Sequence, residues 1–171
     1  NLIKKIVVTQ KGEELFYDRL LIATGSHSFI PPIKGADQSN VFALRNIQDA
    51  RNIKNFAKHA ENVVIIGGGL LGLESGSALL KSGKKVTVVE FFSRLLPRQL
   101  DQDGAEKLQS MMENMRFAFR LDAQTSAITE QGNVVLKDKE TLAADMVIIS
   151  AGVRPNLDIA QIGRASCRER V

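Results

Sequence analysis

Apolar residues along the chain switch between two rhythms. Short continuous or alternating runs recur at residues 3–9, 15–17, 20–23, 63–66, 85–89, 117–120, 126–129, 134–136 and 146–151, and read as strands. Between them, Ile53, Phe56, Ala57 and Ala60 are spaced three and four apart, as one face of a helix over 49–60 requires. Helices are likewise predicted over 70–81 and 103–115, the last with Leu108, Met111, Met112 and Met115 as an apolar stripe expected to fill the core. Gln10-Lys11-Gly12-Glu13 joins the first two strands as a hairpin, and Gln131-Gly132-Asn133 supplies a later turn. The run Leu20-Leu21-Ile22-Ala23 fits a strand buried on both faces. Pro31-Pro32 then forces residues 28–35 to be extended or turned, marking a first candidate boundary. The succession is a hairpin and strand, a βαβ unit, a helix and further strands, which is an α/β order without internal repeats.

Composition narrows the class. The chain has 171 residues, 44% hydrophobic and 25% charged, ordinary values for a globular protein and unlike those of disordered, collagenous or coiled-coil chains. Its length suits one domain or part of a larger enzyme. The longest run free of polar side chains, 63–73, is far shorter than the roughly 20 residues of a membrane span, so no membrane partner is expected. No secretory succession of basic, apolar and small residues opens the chain, and a cytoplasmic location is expected. The chain starts with Asn rather than Met, which leaves room for an upstream segment.

The tail alters the charge arithmetic. Residues 162–171, Ile-Gly-Arg-Ala-Ser-Cys-Arg-Glu-Arg-Val, have no apolar period and read as a non-native tail, the translation of a sequencing adapter; the alternative is a genuine basic tail. Setting aside its three Arg and one Glu lowers the formal net charge from +4 to +2 and removes the only cysteine. The remaining basic pairs, Lys4-Lys5 and Lys84-Lys85, sit at predicted strand ends and make no nucleic-acid face. Without cysteine, disulfide scaffolds, thiolate metal sites and a dithiol centre are not expected in this piece. His27 and His59 match no motif and are expected to face solvent.

One motif carries chemistry. Val63-Val64-Ile65-Ile66-Gly67-Gly68-Gly69-Leu70-Leu71-Gly72 places G-x-G-x-x-G between a predicted strand and a predicted helix. Gly67 turns the chain out of the strand, Gly69 leaves no Cβ to hold a pyrophosphate off the backbone, and Gly72 lets the helix lie close to the sheet. Gly76, a turn later, extends that small face. A pyrophosphate would rest on the unsatisfied amides around Leu70 and Leu71, where the helix dipole favours negative charge. Glu90 ends the next strand about 20 residues on, where such units carry a ribose-binding acid.

Glu90 also points to the nucleotide. A carboxylate accepts hydrogen bonds from a ribose 2′-hydroxyl, each worth about 1.5–3 kcal/mol. A 2′-phosphate there would cost on the order of 4 kcal/mol per unit charge at about 4 Å, with Arg94 offsetting part of it. NADH is therefore expected over NADPH.

The flanks add a resemblance. Tyr17-Asp18-Arg19-Leu20-Leu21-Ile22-Ala23-Thr24-Gly25 and Ala151-Gly152-Val153-Arg154-Pro155-Asn156 resemble the pyridine nucleotide-disulfide oxidoreductases, flavoproteins with two dinucleotide-binding domains. Within that family, Leu96-Pro97-Arg98-Gln99-Leu100-Asp101 with Asp103-Gly104 is most similar to NADH:rubredoxin oxidoreductases and the N-terminal part of nitrite reductase large subunits. The resemblance implies a Rossmann-like NAD-binding domain, a parallel sheet with a β-meander crossover, inserted in a truncated FAD-binding domain. On that basis residues 1–41 are a remnant of the FAD domain, 42–151 the NAD(H) domain, 152–161 the return towards the FAD domain and 162–171 the tail. The family's first glycine motif is expected upstream, and its Gly-Asp flavin segment and interface domain downstream.

Carried over residue by residue, the resemblance implies that Thr24 and Gly25 lie beside FAD, that Arg45 approaches its pyrophosphate, that Glu74 lies near the nicotinamide and that Gly152 lies where the chain returns to the flavin. The expected activity is NAD(P)H-dependent reduction of FAD, with electrons passed to an acceptor protein or centre such as rubredoxin or a nitrite reductase centre. Hydride transfer needs no general base, so no catalytic residue is nominated. A dehydrogenase with a single Rossmann domain and a non-catalytic NADH-binding piece stand as alternatives. Glu90→Arg is expected to shift the ratio of NADH to NADPH dissociation constants towards NADPH, and unchanged relative affinities would count against a ribose role for that carboxylate.

Overall fold

The unbroken apolar runs become buried strands because a strand between two neighbours has both faces covered. The computed structural model describes residues 1 and 3–158. In chain order its elements are β1 (Ile6–Val8), β2 (Glu14–Phe16), β3 (Ser26–Ser28), β4 (Val41–Ala43), α1 (Ile47–Phe56), a 3₁₀ turn (Ala57–His59), β5 (Asn62–Ile66), α2 (Leu70–Lys81), β6 (Lys85–Val89), α3 (Gln102–Asn114), β7 (Phe117–Arg120), β8 (Thr125–Ile128), β9 (Val134–Leu136), β10 (Thr141–Leu142), β11 (Met146–Ile149) and β12 (Val153–Pro155). They fall into two compact units, Ser28–Val153 and the flanking segments Asn1–His27 with the described residues from Arg154 onward.

The larger unit is built on five strands in the order β4-β11-β5-β6-β7. Every pairing in it is parallel. Alternation along the strands sorts side chains into two cores. Ile65, Val88, Met146 and Ile148 point to one face, where they pack with Ile53 and Ala57 of the α1 region, Leu73 and Leu79 of α2, and Met112 of α3. Ile66, Val89, Val147 and Ile149 point to the other face and meet Ile128, Val134, Leu136 and Leu142 of the antiparallel meander β8-β9-β10. The result is helix, sheet and meander in three layers, a Rossmann-like arrangement in which the meander provides the crossover.

Several local choices are visible. α1 begins with a capping box: Asn46 accepts from the Asp49 amide while Asp49 accepts from the Asn46 amide, satisfying two orphan donors. β4 and β10, two short strands, exist through pairing with β11 and β9 and have no periodic signal of their own. The methionine stripe is only partly a core: Met112 is buried, whereas Met111 is 59% exposed and Met115 50%. α3 buries Ala105 and Met112, with Leu108 packed against the core, a line spaced three and four apart that leaves the flanking methionines outside.

The larger unit begins at Ser28, just ahead of the Pro31-Pro32 segment. The reason is packing after the prolines: Ile33 and Ala36 lie against the meander-side core, and the Ile128 amide donates to the Lys34 carbonyl at 2.7 Å. β1 and β2 of the smaller unit form the expected antiparallel hairpin, and β3 pairs with β12. Residues 20–23 form no strand, and Leu21 is 89% exposed, because no strand among the described residues pairs with them. His27 and His59 are exposed, as expected. The 162–171 tail lies outside the described residues.

Asp145 sets the entry of β11 into the sheet. Its Oδ2 accepts from the Asn62 amide at 2.8 Å and the Glu61 amide at 2.9 Å, at the start of β5. Those two amides hold its carboxyl below the ordinary value near 3.8, against a smaller opposing effect of burial. A depressed folded-state pKa gives stability that is present at neutral pH and lost as pH falls below 3.8 through the folded value. Asp145→Ala is therefore expected to lower the urea midpoint at about pH 6, and the gap from wild type is expected to close by about pH 2.

Candidate functional site

The central strand β5 ends in the glycine turn. Gly67 has φ +111°, a conformation that side chains resist. A Cβ there would also stand 2.3 Å from the Ser150 carbonyl oxygen, so the turn runs against the end of β11. The Gly67 amide donates to the Val89 carbonyl at 2.8 Å, and the Ser150 amide donates to the Ile66 carbonyl at 2.8 Å. The turn is thus fixed by the ends of both neighbouring strands.

α2 follows without a side-chain cap, Gly69 serving as its N-cap in extended conformation. The first amides of a helix have no partner within it, so those of Leu70 and Leu71 remain for another acceptor. Around Gly69 nothing lies within 4 Å of where a Cβ would be. Beneath, Gly72 allows a close approach: a Cβ would meet the Gly67 carbonyl oxygen at 2.4 Å and Ser150 Oγ at 3.3 Å. Gly76 faces Phe117 and Ile65 in the same way. Gly68, which the motif leaves unspecified, is also restricted, by Leu95 Cδ2 at 2.8 Å.

These elements wall a cleft of about 610 Å³, within the size range of cofactor sites. Of the residues nominated from sequence, Gly67, Gly69, Leu70, Leu71, Glu90 and Gly152 line it. Gly72 lies below its floor, in the contact just described. Glu74 and Arg45 are exposed and do not line the cleft; the Arg45 amide donates to Asp49 Oδ2 at 2.9 Å. Arg94 is also outside the lining, with Nη2 donating to the Pro97 carbonyl at 3.3 Å. Thr24 and Gly25 belong to the smaller unit. There Thr24 Oγ1 donates to the Asn156 carbonyl at 2.6 Å, and Asn156 Nδ2 donates to the Thr24 carbonyl at 2.9 Å.

Glu90 occupies the end of β6 with only 7% of its surface exposed. Its Oε2 accepts from the Gly68 amide, and its Oε1 accepts from the Phe92 amide at 2.9 Å. The motif located the acid but held no sign of these backbone partners. Sequence reasoning also missed Phe91 and Phe92, which line the cleft 59% and 52% exposed, packed edge to face at 5.4 Å. Their signal was available: two adjacent aromatics directly after the acid, where a strand has just left the core. Among the described residues no cluster of His, Cys, Asp and Glu is arranged to hold a metal, and no helix is long and apolar enough to cross a membrane.

Comparison with known proteins places this geometry among relatives. The sequence profile of the family described as "Pyridine nucleotide-disulphide oxidoreductase" matches residues 2–170. The chain is 36% identical over 162 residues to the nitrite reductase (NADH) large subunit of Escherichia coli (strain K12), a match covering 92% of this chain and 19% of that protein. It is 33% identical over 161 residues to the rubredoxin-NAD(+) reductase of Pseudomonas putida, covering 92% of this chain and 42% of that protein. Among solved structures, the ferredoxin reductase for the CYP199A2 system from Rhodopseudomonas palustris superposes with a TM-score of 0.90 at 25% identity, over 95% of this chain and 41% of that one. The chain thus spans less than half the length of each.

The two helix-start glycines predict opposite outcomes. Gly72→Ala drives a Cβ into backbone at 2.4 Å and is expected to destabilise by about 1–3 kcal/mol in urea unfolding. Gly69→Ala meets open space at an allowed backbone geometry and is expected to stay within about 0.5 kcal/mol of wild type.

Proposed function

The chain belongs to the pyridine nucleotide-disulphide oxidoreductase family, and from that premise we propose that it is the NADH-binding part of an FAD-dependent oxidoreductase. The observation that carries this reading is the bare, uncapped start of α2 opening into a cleft of about 610 Å³ beside the Gly67 turn. Unpartnered amides, the positive end of the helix dipole and the missing Cβ at Gly69 together suit a pyrophosphate. Phe91 and Phe92 offer apolar surface in the same cleft for the remainder of the dinucleotide.

Glu90 sits in that lining with two oxygens already engaged, and a carboxylate has about four acceptor positions, so a sugar hydroxyl can share it. A 2′-phosphate brings a like charge to the same place. NADH is therefore the favoured nucleotide.

The flavin side rests on the family resemblance. Thr24, Gly25, Arg45 and Gly152 are the residues that would border FAD, with Glu74 towards the nicotinamide. Gly25 fits such a neighbour, for its φ is +71° and nothing lies within 4 Å of a Cβ there, leaving main chain open to a flat ring system. Bound FAD would supply hydride acceptance from the nicotinamide and onward electron transfer, chemistry that belongs to the cofactors. The chain's own task is to fix the pyrophosphate and hold the sugar. The acceptor is proposed to be a redox protein or centre of the kind named in its relatives, a rubredoxin or a nitrite-reducing centre.

Titration calorimetry tests the nucleotide site. NADH is expected to give saturable heat with a lower Kd than NADPH, and absence of heat with both would overturn the reading. For the intact enzyme, a visible flavin spectrum that bleaches on addition of NADH is expected; a colourless protein that turns over an organic substrate with NAD would support the single-domain dehydrogenase instead.

A further inference from the structure

A buried carboxylate is costly unless its oxygens are hydrogen-bonded. Glu90, 7% exposed, meets that demand with two main-chain donors from two different segments: Gly68 in the turn after β5 and Phe92 in the loop after β6. The backbone that carries the side chain is itself anchored. The Glu90 amide donates to the Arg120 carbonyl at 2.8 Å, and the Glu90 carbonyl accepts from the Ala123 amide at 3.0 Å. A rigid base therefore presents both oxygens to the two amides.

The glycine turn lies directly on this side chain. A Cβ at Gly68 would stand 3.1 Å from Glu90 Oε2. The Gly68 peptide is held from below by the carboxylate, while its neighbour Gly69 starts α2. Rotating the 68 peptide plane would turn the amides that follow. Main-chain bonds fix Gly67 through Val89. Among the described residues, Glu90 is the side chain that fixes the next amide.

Resting on the nucleotide-binding reading above, we infer that Glu90 is a positioning residue for the phosphate-binding turn: its carboxylate staples the Gly68 amide to the Phe91-Phe92 loop and so aims the start of α2 into the cleft. Its effect on binding is then mainly common to both nucleotides, and discrimination at the ribose is the smaller part. Gln is the informative replacement because it keeps the shape but has one acceptor oxygen, so its NH₂ faces an N–H donor. Asp keeps the charge but is one methylene too short to reach both amides.

In the full chain, Glu90→Gln is expected to raise the Kd of NADH and of NADPH together, by roughly tenfold or more, with their ratio moving less than about threefold. Glu90→Asp is expected to weaken both in the same way. A Gln variant that loses NADH affinity while gaining NADPH affinity, or an Asp variant with wild-type affinities, would overturn the inference.

Amide hydrogen exchange without nucleotide supplies a measurement independent of binding and, in the wild type, of any variant. The Gly68 and Phe92 amides are expected to be protected relative to Leu70, and Gly68 to lose protection in Glu90→Gln while Val64 and Ile65 in β5 keep theirs. Wild-type Gly68 and Phe92 amides exchanging as fast as Leu70 would sink the inference. If the wild type binds neither nucleotide yet shows the exchange pattern, the proposed function fails while the staple stands.

Discussion

The fold turns on the closeness of one backbone turn to the ends of two strands. β5 is buried on both faces, so its side chains are committed to packing and what it can deliver to a ligand is main chain. That delivery happens at Gly67, where there is no room for a Cβ against the Ser150 carbonyl. Gly72 then brings α2 down onto the same turn. If either position carried a larger residue, strand, turn and helix could not meet at this distance, and the cleft would lose its floor.

The sheet gives that turn its rigidity. Parallel pairing with β6 on one side and β11 on the other places Val89 and Ser150 at the same level as the glycines. Helices cover one face and the meander covers the other, so both alternating sets of side chains on β5 and β11 are used. At the opposite end, Asp145 binds the first amides of β5 and fixes the register of β11 beside it. Order at the carboxyl ends thus depends on contacts along the full length of the strands.

Glu90 joins this framework to the chemistry. Its position was legible because a strand followed by an acid at the right distance is a recurring device of nucleotide-binding units. Its partners were not, since the Gly68 amide comes near only after β5 and β6 pair. Phe91 and Phe92 were legible as two aromatics just past a predicted strand end, but that they line the cleft and pack edge to face is a tertiary result. Conversely, the apolar run at 20–23 read as a buried strand, but a strand also needs neighbours, and among the described residues it has none.

The sequence by itself determined the elements whose signal is local. β5, α2 and β6 follow from a run of β-branched residues, a glycine turn and a helical spacing, and the helix and second strand have the bounds predicted for them. The family was legible too, through the resemblance carried by the flanking segments at residues 17–25 and 151–156. Only the tertiary structure decided which methionine of α3 is buried, where β4, β10 and β12 form, that residues 28–41 pack with the larger unit, and which atoms the Glu90 carboxylate holds. Those outcomes depend on groups far apart in the chain, and a hydrogen bond or a packed face exists only once folding has brought its two halves within a few ångströms.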